Sequence, residues 1–225
     1  MSAKARFPAR SVAGVVVVMA VILLSSGRLD YWQGWIFLFA LLATAFVSFR
    51  LLKDNIGLIA ERLRPGKGMK WWDKIYLLLS TPLYFAAIVV AGIDAGRGHW
   101  SSPLGPVLYV LALVVFLLGQ GLYLWAKKVN PFFSSVARIQ AERGHSVCRT
   151  GPYKYCRHPG YLGGLLFGLT TPLVLGSYWG LIPQVLAAVL LISRTFLEDR
   201  MLQKDLLWYP EYVRAVRSRL IPRVW

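Results

Sequence analysis

Long apolar segments separated by polar ones constrain this chain more than any other feature. A helix needs about 20 mostly apolar residues to cross the roughly 30 Å hydrocarbon core of a bilayer. Six segments approach that length and predict transmembrane helices; they lie at about 11–26, 31–49, 75–93, 104–126, 161–175 and 179–196. The fifth is short, and a turn at Gly176 and Ser177 joins it to the sixth as an antiparallel hairpin. The sequence therefore predicts an all-α polytopic membrane protein with about six transmembrane helices.

The first apolar segment resembles a signal peptide, because a basic N-terminus precedes it. No convincing small-x-small cleavage site precedes Gly27. We therefore expect this segment to be retained as the first helix.

The basic residues predict the orientation of the chain. The net charge is +16, and with six spans all Lys and Arg except Arg28 and Arg97 fall on the side that holds both termini, the 53–74 loop and the 127–160 loop. Lys and Arg are enriched in cytoplasmic loops, so we expect both termini in the cytoplasm. From the compactness of the chain, we expect the bacterial inner membrane.

The same charge distribution bears on partners. Basic residues interspersed between apolar segments fit anionic lipid headgroups better than nucleic acid. Membrane lipids are therefore expected partners and nucleic acid is not, and no feature indicates an obligate protein partner.

Polar residues that could carry chemistry concentrate at the open ends of the predicted hairpin. His158 precedes the fifth segment, and Arg194 and Glu198 end the sixth. A hairpin brings its open ends together, so a His, an Arg and a carboxylate are expected to meet at the cytoplasmic membrane face. Pro159 and Gly160 open the fifth helix, where the first backbone N–H groups can bind a polar ligand.

Each of these features also has a purely structural interpretation. The 157–159 segment could cap a spanning helix. Arg194 and Glu198, four residues apart, could form an ion pair on the helix surface, worth about 0.3–0.5 kcal/mol. Gly163 and Gly164 could serve helix packing alone.

His145, Cys148, Cys156 and His158 form a pattern that invites a zinc interpretation. Their closing Cys-x-His spacing does not match the usual zinc spacings, and reduced cysteines are often buried as small hydrophobic side chains. We therefore expect no metal ion. No Ser–His–Asp set, phosphate-binding loop or dinucleotide fingerprint is visible either.

An ordered set of motifs runs from residue 130 to residue 222. It comprises Asn130–Phe133, Arg138–Gln140, Arg143–His145, Gly151–Tyr153 and Arg157–Gly163, and then Arg194, Thr195, Glu198, Asp199, Leu202, Tyr209, Tyr212, Val216, Arg219 and Pro222. This set resembles the isoprenylcysteine carboxyl methyltransferase family, and the related phospholipid N-methyltransferases share much of it. Residues 1–126 read as four generic membrane helices, so we expect the catalytic region at 127–225.

The resemblance implies an S-adenosylmethionine-dependent methyltransferase. Its cofactor pocket would lie at the cytosolic membrane face, built by the hairpin, the connecting loop and the tail. By the same resemblance, the cofactor would contact either Arg138 or Gln140, and also His145, Ser146, Val147, Cys148, Tyr153, His158, Pro159, Gly160, Tyr161 and Glu198. Arg194 would be the catalytic residue, nearest the methyl acceptor.

Two positions depart from the family pattern. The family often has two adjacent glutamates where this chain has Glu198 and Asp199, which is a mild change. It often has glycine before the first tail tyrosine, where this chain has Trp208. That difference leaves the conformation of the tail turn open.

The expected acceptor is lipid-like or prenylated and methylated at a carboxylate oxygen, because arginine can orient an anionic group through bidentate contacts. Phospholipid N-methylation is one alternative. An NADPH-dependent membrane reductase of the sterol-reductase kind is another, since basic residues in 127–157 could bind the extra phosphates of its cofactor. A transporter is less favoured, because Gln120 and Gln184 are the main polar residues in mid-span.

Overall fold

A computed structural model describes residues 3–53, 55–63 and 68–225, and this part of the chain contains helices and no strands. Residues 54 and 64–67 of the predicted basic loop lie outside the described residues. In chain order the α-helices are α1 Ala3–Ser26, α2 Trp32–Leu52, α3 Ile56–Leu63, α4 Trp71–Ile93, α5 Pro106–Val129, α6 Pro159–Val174, α7 Leu181–Asp205 and α8 Tyr209–Ala215. A π-helical turn, Asp94–Gly98, extends α4, and short 3-10 helices lie at Ala141–Arg143 and Gly151–Lys154.

Five of the described helical segments are long and apolar enough to cross a membrane, namely Pro8–Ser26, Trp32–Leu52, Trp71–Gly98, Pro106–Val129 and Leu181–Asp205. The prediction of an all-α polytopic membrane protein is confirmed. The remaining predicted span, α6, has 16 residues, which is about 24 Å at 1.5 Å per residue and shorter than a typical hydrocarbon core. Large apolar side chains remain exposed along the spans (Leu78 is 72% and Leu118 65% exposed), which suits a lipid surface rather than water.

The short helix α6 packs closely on α5 because both have glycine at the crossing. A Cβ on Gly163 would lie 2.7 Å from the carbonyl oxygen of Gly119, and one on Gly119 would lie 2.6 Å from the backbone nitrogen of Phe167. Small residues let membrane helices approach until their backbones touch. Gly163 is therefore required for helix packing. Gly164 is not required in the same way, because a Cβ there would meet only Leu191, at an ordinary contact distance of 3.5 Å.

Helix α3 lies in the segment that the sequence suggested was only a basic loop. The side chain of Asn55 accepts a hydrogen bond from the backbone N–H of Leu58 (3.0 Å), which is a helix N-cap interaction. Leu58 and Ile59 are fully buried against Leu52 at the end of α2. This anchoring holds Glu61 and the following arginine beside the 130–145 segment.

The apolar core runs between α1, α2, α4, α5 and α6, with Ile22, Phe116 and Val174 fully buried. At one end of the bundle, Asp94 is fully buried and accepts hydrogen bonds from the backbone N–H of Ser101 (2.7 Å) and from the hydroxyls of Ser101 and Ser177. Since Ser177 follows α6, this contact fixes the far end of α6. Short as it is, α6 therefore runs through the bundle from this aspartate to the opposite end.

Candidate functional site

At the end of the bundle opposite Asp94, a polar cavity opens between α6, α7, α8 and the 130–158 segment. Its volume is about 740 Å³ including the part open to solvent. Its lining includes these predicted cofactor residues: Arg138, His145, Ser146, Val147, Cys148, Tyr153, His158, Gly160, Tyr161 and Glu198. Gln140, Pro159 and Arg194 do not line it. Whether the lining residues bind a cofactor stays a prediction.

The two ends of the α6–α7 hairpin meet at this cavity. The hydroxyl of Tyr161 donates a hydrogen bond to Glu198 Oε2. The ring of His158 lies parallel to the ring of Tyr161, with centroids 5.6 Å apart and an interplanar angle of 3°. His158 and Glu198 thus face one cavity, connected through Tyr161.

Asp199 joins the hairpin to the C-terminal tail. It is fully buried, and its carboxylate accepts hydrogen bonds from Arg157 (2.8 and 3.0 Å), Arg219 (2.9 Å) and the hydroxyl of Tyr209 (3.0 Å). The Nε2 atom of His158 lies 3.3 Å from the same carboxylate. A buried carboxylate needs such partners to remain charged.

Backbone contacts complete this connection. The backbone N–H groups of Arg157 and His158 donate to the carbonyls of Ser218 and Arg219, each at 2.9 Å. Arg157 Nη1 also donates to the carbonyls of Val216 and Arg217 (2.8 and 2.7 Å). Sequence reasoning treated Asp199 only as a mild departure from a family pattern and missed its role. The available signal was an acid beside Glu198 with several basic residues in the tail.

Arg138 anchors the loop at 130–148, which lines one side of the cavity. Its guanidinium makes two hydrogen bonds to Glu61 on α3 (3.0 and 2.6 Å) and one to Glu142 (2.6 Å). The hydrogen bond from Arg138 holds the pKa of Glu61 below its usual value. Glu61 also accepts a hydrogen bond from Ser134 (2.8 Å). The contribution of α3 to this site was not predicted from the sequence.

The structure separates the two alternatives for the upstream polar contact. Gln140 is fully buried; its amide nitrogen donates to the carbonyl of Phe132 (2.8 Å) and its amide oxygen accepts from Arg143. Both ends of that amide therefore serve the loop. Of the two candidates, Arg138 is the one that lines the cavity.

His145 presents a neutral aromatic ring to the cavity. Its Nδ1 accepts a hydrogen bond from the backbone N–H of Gln140 (3.2 Å), and its ring stacks on Phe132 with centroids 4.6 Å apart. Burial lowers the pKa of His145 to about 4. The ring is therefore uncharged near pH 7.

The four residues of the zinc-like pattern have separate environments. His158 contacts Asp199, whereas His145 stacks on Phe132. Burial raises the pKa of the Cys156 thiol to about 11, which opposes formation of the thiolate that zinc would require. Within residues 3–53, 55–63 and 68–225, no three His, Cys, Asp or Glu side chains converge as a metal site.

Tyrosines from the tail form another wall. Tyr212 donates to the carbonyl of Tyr153 (2.6 Å), and the Tyr153 hydroxyl accepts from Asn130 (3.1 Å). Trp208, which precedes α8, has φ of +66°, a left-handed conformation that glycine adopts without steric cost. The tail turn thus keeps a glycine-like conformation although its residue is tryptophan.

Arg194, the predicted catalytic residue, lies just behind the cavity wall. Its Nε is 2.7 Å from Oδ1 of Asp73 on α4, and its Nη2 donates to the carbonyl of Ser135 (3.2 Å). Its guanidinium lies over the rings of Tyr76 (4.6 Å) and Tyr161 (5.2 Å). The ion pair of Arg194 is therefore with α4, and the suggested pair with a carboxylate one turn along its own helix is wrong.

Arg194 lines a second, mostly apolar cavity of about 1190 Å³, again including space open to its surroundings. Apolar side chains of α1, α2, α4, α5, α6 and α7 form most of its surface. The polar and apolar cavities share four lining residues, Phe133, Ser134, Gly160 and Tyr161. This arrangement can hold a polar molecule and an amphiphile on opposite sides of one thin wall.

Residues 107–206 match the family model described as phospholipid methyltransferase. The matched part begins in α5 and ends just beyond α7, so it contains the hairpin and the loop that build the polar cavity. No curated protein matches the chain. The family match, together with the five helices of spanning length, indicates a membrane methyltransferase.

Proposed function

We propose that the protein is an S-adenosylmethionine-dependent methyltransferase that binds its cofactor in the polar cavity and a lipid-like or prenylated acceptor in the apolar cavity. The observation that carries this proposal is the wall shared by the two cavities at Gly160 and Tyr161. Group transfer requires donor and acceptor to be held in line, close together and away from water. A water-soluble cofactor and a membrane-soluble acceptor could meet at such a wall from opposite sides.

The residues of the polar cavity fit this cofactor. Glu198 offers a carboxylate for an amino or ribose group, and one of its oxygens is fixed by Tyr161. The neutral stacked pair of His145 and Phe132 suits a planar base. Aromatic rings at Tyr161 and His158 favour a nearby cation. When bound, S-adenosylmethionine supplies an electrophilic methyl group on a positively charged sulfur.

The protein's own contribution would be positioning rather than covalent chemistry. Arg194 is fixed by Asp73 and by two tyrosine rings, so its guanidinium can present N–H donors to an acceptor at little entropic cost. A donor of this kind would orient a carboxylate, which supports methylation at a carboxylate oxygen. We therefore assign Arg194 as the catalytic residue.

N-methylation of a phospholipid amine is the second candidate. The observation in its favour is the match of residues 107–206 to the phospholipid methyltransferase model. The Arg194–Asp73 pair is formally neutral, so an amine acceptor would not face an uncompensated positive charge from Arg194.

Cofactor binding tests the proposal. Radiolabelled S-adenosylmethionine and NADPH should be offered to detergent-purified wild type, Glu198→Gln and Glu211→Gln. We expect the wild type and Glu211→Gln, an exposed acid on α8, to bind S-adenosylmethionine, and Glu198→Gln to bind it at least about ten-fold more weakly. Binding of NADPH with no binding of S-adenosylmethionine would instead support the reductase alternative.

The chemistry of the product separates the two acceptors. A prenylated cysteine with a free carboxylate and vesicles of phosphatidylethanolamine should each be incubated with methyl-labelled cofactor. A methyl ester releases labelled methanol in mild base, whereas an N-methyl group does not. We expect base-labile product from the prenylated cysteine; base-stable product from the vesicles alone would establish N-methylation.

The orientation of the chain in the membrane is part of the proposal. We place both termini and the polar cavity in the cytoplasm, on the basis of the Lys and Arg distribution. Cytoplasm-specific and periplasm-specific reporters fused to the C-terminus, expressed in a bacterial host, should both indicate a cytoplasmic end. A periplasmic C-terminus would overturn this placement.

A further inference from the structure

A second arginine lines the apolar cavity, and it comes from α3 rather than from the matched region. Arg62 Nη1 donates to the carbonyl of Phe133 (3.3 Å), and its Nη2 donates to the hydroxyl of Tyr123 (3.2 Å). The guanidinium carbon lies 5.7 Å from the centroid of the Phe133 ring. Because Phe133 belongs to the wall between the two cavities, Arg62 lies at the place where donor and acceptor would meet.

Arg62 differs from Arg138 and Arg194 in the charge of its partners. Arg194 is paired with Asp73, and Glu61, the residue before Arg62, is taken by Arg138. Among residues 3–53, 55–63 and 68–225, no carboxylate lies within ion-pair distance of Arg62. Its partners are a carbonyl and a hydroxyl, which are neutral.

A half-buried guanidinium in an apolar cavity favours a negatively charged ligand. Removing charge from water costs free energy that a neutral hydrogen-bond partner returns only in part. Arginine also has a planar fork of donors that matches the two oxygens of a carboxylate or a phosphate. The positive end of this cavity is therefore suited to the anionic group of an amphiphile whose apolar part occupies the remaining volume.

We infer that Arg62 binds the anionic group of the methyl acceptor, a carboxylate or a phosphodiester, and determines the preference for acceptors that carry one. This inference rests on the proposed function. It assigns α3, which lies outside the matched residues 107–206, a direct part in recognising the acceptor. Arg194 then orients the group that receives the methyl, and Arg62 selects for charge.

The test compares Arg62→Gln and Arg62→Lys with Arg50→Gln, an exposed arginine at the end of α2 that undergoes the same change in charge. Acceptors are the prenylated cysteine with a free carboxylate and phosphatidylethanolamine vesicles, and the neutral amide of the prenylated cysteine serves as a competitor. We expect Arg62→Gln to raise KM for the accepted anionic compound by about ten-fold or more, since one charge-assisted contact is lost. Arg62→Lys should raise it less, and Arg50→Gln should leave it unchanged.

The same variants report whether the change is specific. Arg62 does not line the polar cavity, so the Kd for S-adenosylmethionine should stay within about two-fold in Arg62→Gln. The inhibition constant of the neutral amide should also stay the same. An unchanged KM for the anionic acceptor, or an equal loss for the anionic acceptor and the neutral competitor, would overturn the inference.

Failure of the proposed function gives a different result. If the wild type transfers no methyl group, equilibrium binding of the labelled prenylated cysteine replaces KM as the measurement. Weaker binding of that carboxylate to Arg62→Gln than to Arg50→Gln would then uphold the anion site without the enzyme. Equal binding would overturn the site as well.

Discussion

Two buried aspartates hold the two ends of the bundle, and their partners differ in charge. Asp94 and Asp199 are both fully buried. Asp94 is satisfied by serine hydroxyls and a backbone N–H group, whereas Asp199 is satisfied mainly by the guanidinium groups of Arg157 and Arg219. The end with neutral donors closes a turn. The end with charged donors joins the hairpin to the tail and leaves a cavity beside it.

A cavity is present at each end. At the Asp94 end, Ala95, Ser101 and Gly176 line a space of about 1060 Å³, including the part open to its surroundings. At the Asp199 end, Arg157 and His158 contact the aspartate and also line the polar cavity. The network around Asp199 therefore supplies side chains to the lining of the predicted cofactor site.

The largest expected effect follows from breaking this framework. Asp199→Asn removes the charge that buried Arg157 shares with partly exposed Arg219, and breaking a buried ion pair costs about 3–5 kcal/mol. Asp94→Asn disturbs hydrogen bonds to neutral donors and should cost less, about 1–3 kcal/mol. Thermal unfolding in detergent should therefore rank Asp199→Asn below Asp94→Asn, and S-adenosylmethionine binding should be lost in Asp199→Asn alone.

A matched control lies on the same helix. Asp205 pairs with Lys70 at the surface (3.1 Å), and exposed pairs contribute about 1 kcal/mol or less. Asp205→Asn should leave both unfolding and cofactor binding close to wild type. If Asp94→Asn abolished cofactor binding as completely as Asp199→Asn, the two ends would not be independent.

The wall between the cavities is the next place where a small change should matter. A Cβ on Gly160 would lie 2.6 Å from the ring of Phe133, so Gly160→Ala must displace a wall residue, at a cost of about 1–3 kcal/mol. If that cost falls on the positioning of donor and acceptor, kcat should drop by about ten-fold or more. Steady-state methyl transfer measures it.

Gly164→Ala is the control for that substitution. It lies one turn farther along α6 and lines only the apolar cavity, where a Cβ would meet Leu191 at 3.5 Å, an ordinary contact. Its kcat should remain within about three-fold of wild type. Equal losses in the two variants would mean that α6 tolerates no added volume and that the wall is not special.

The meeting of the two hairpin ends at one cavity could be predicted from the sequence, because it depends on segments that are close together in the chain. A tight turn between two apolar segments was enough to bring His158 and Glu198 to one cavity. The apolar runs of the two segments predict two helices, and the short turn between them predicts that the helices are antiparallel. Neither prediction requires contacts with distant parts of the chain.

The rest depends on contacts between segments far apart in the chain. Glu61 and Arg138 are 77 residues apart, and Asp73 and Arg194 are 121 apart. Such separations match neither the three- or four-residue spacing of one helix face nor the pairing of neighbouring helices in a hairpin, so the sequence does not predict these contacts. Arg194 is recognisable from the sequence as a site residue, because it ends the sixth apolar segment. Its ion-pair partner, Asp73 on α4, is not recognisable, and the sequence suggests a carboxylate one turn along the same helix instead.

A smaller effect should appear in the pH dependence of stability at the cavity. Because the pKa of His145 is lowered from 6.5 to about 4 in the folded protein, the unfolded chain binds a proton between these values that the folded chain does not. Stability should thus fall as pH decreases from 6.5 to 4. Denaturant unfolding of the cofactor-free protein across this range should show a shallower decline in His145→Asn, and an unchanged decline would assign the loss to other groups.

The smallest expected effect concerns the turn before α8, and here a substitution should stabilise. Trp208 has φ of +66° and is 62% exposed, so it bears the steric cost of a left-handed conformation while burying little surface. Trp208→Gly relieves that cost, about 1–2 kcal/mol, and loses part of the gain to the greater freedom of glycine in the unfolded chain. We expect a net stabilisation of about 0.5–1 kcal/mol. Leu207 is also exposed, at 74%, and has no positive φ, so Leu207→Gly should destabilise by about the same amount. Opposite shifts in the unfolding midpoint would establish that the tail turn retains a conformation suited to glycine, whereas parallel shifts would show that the tryptophan side chain itself contributes to the docking of α8.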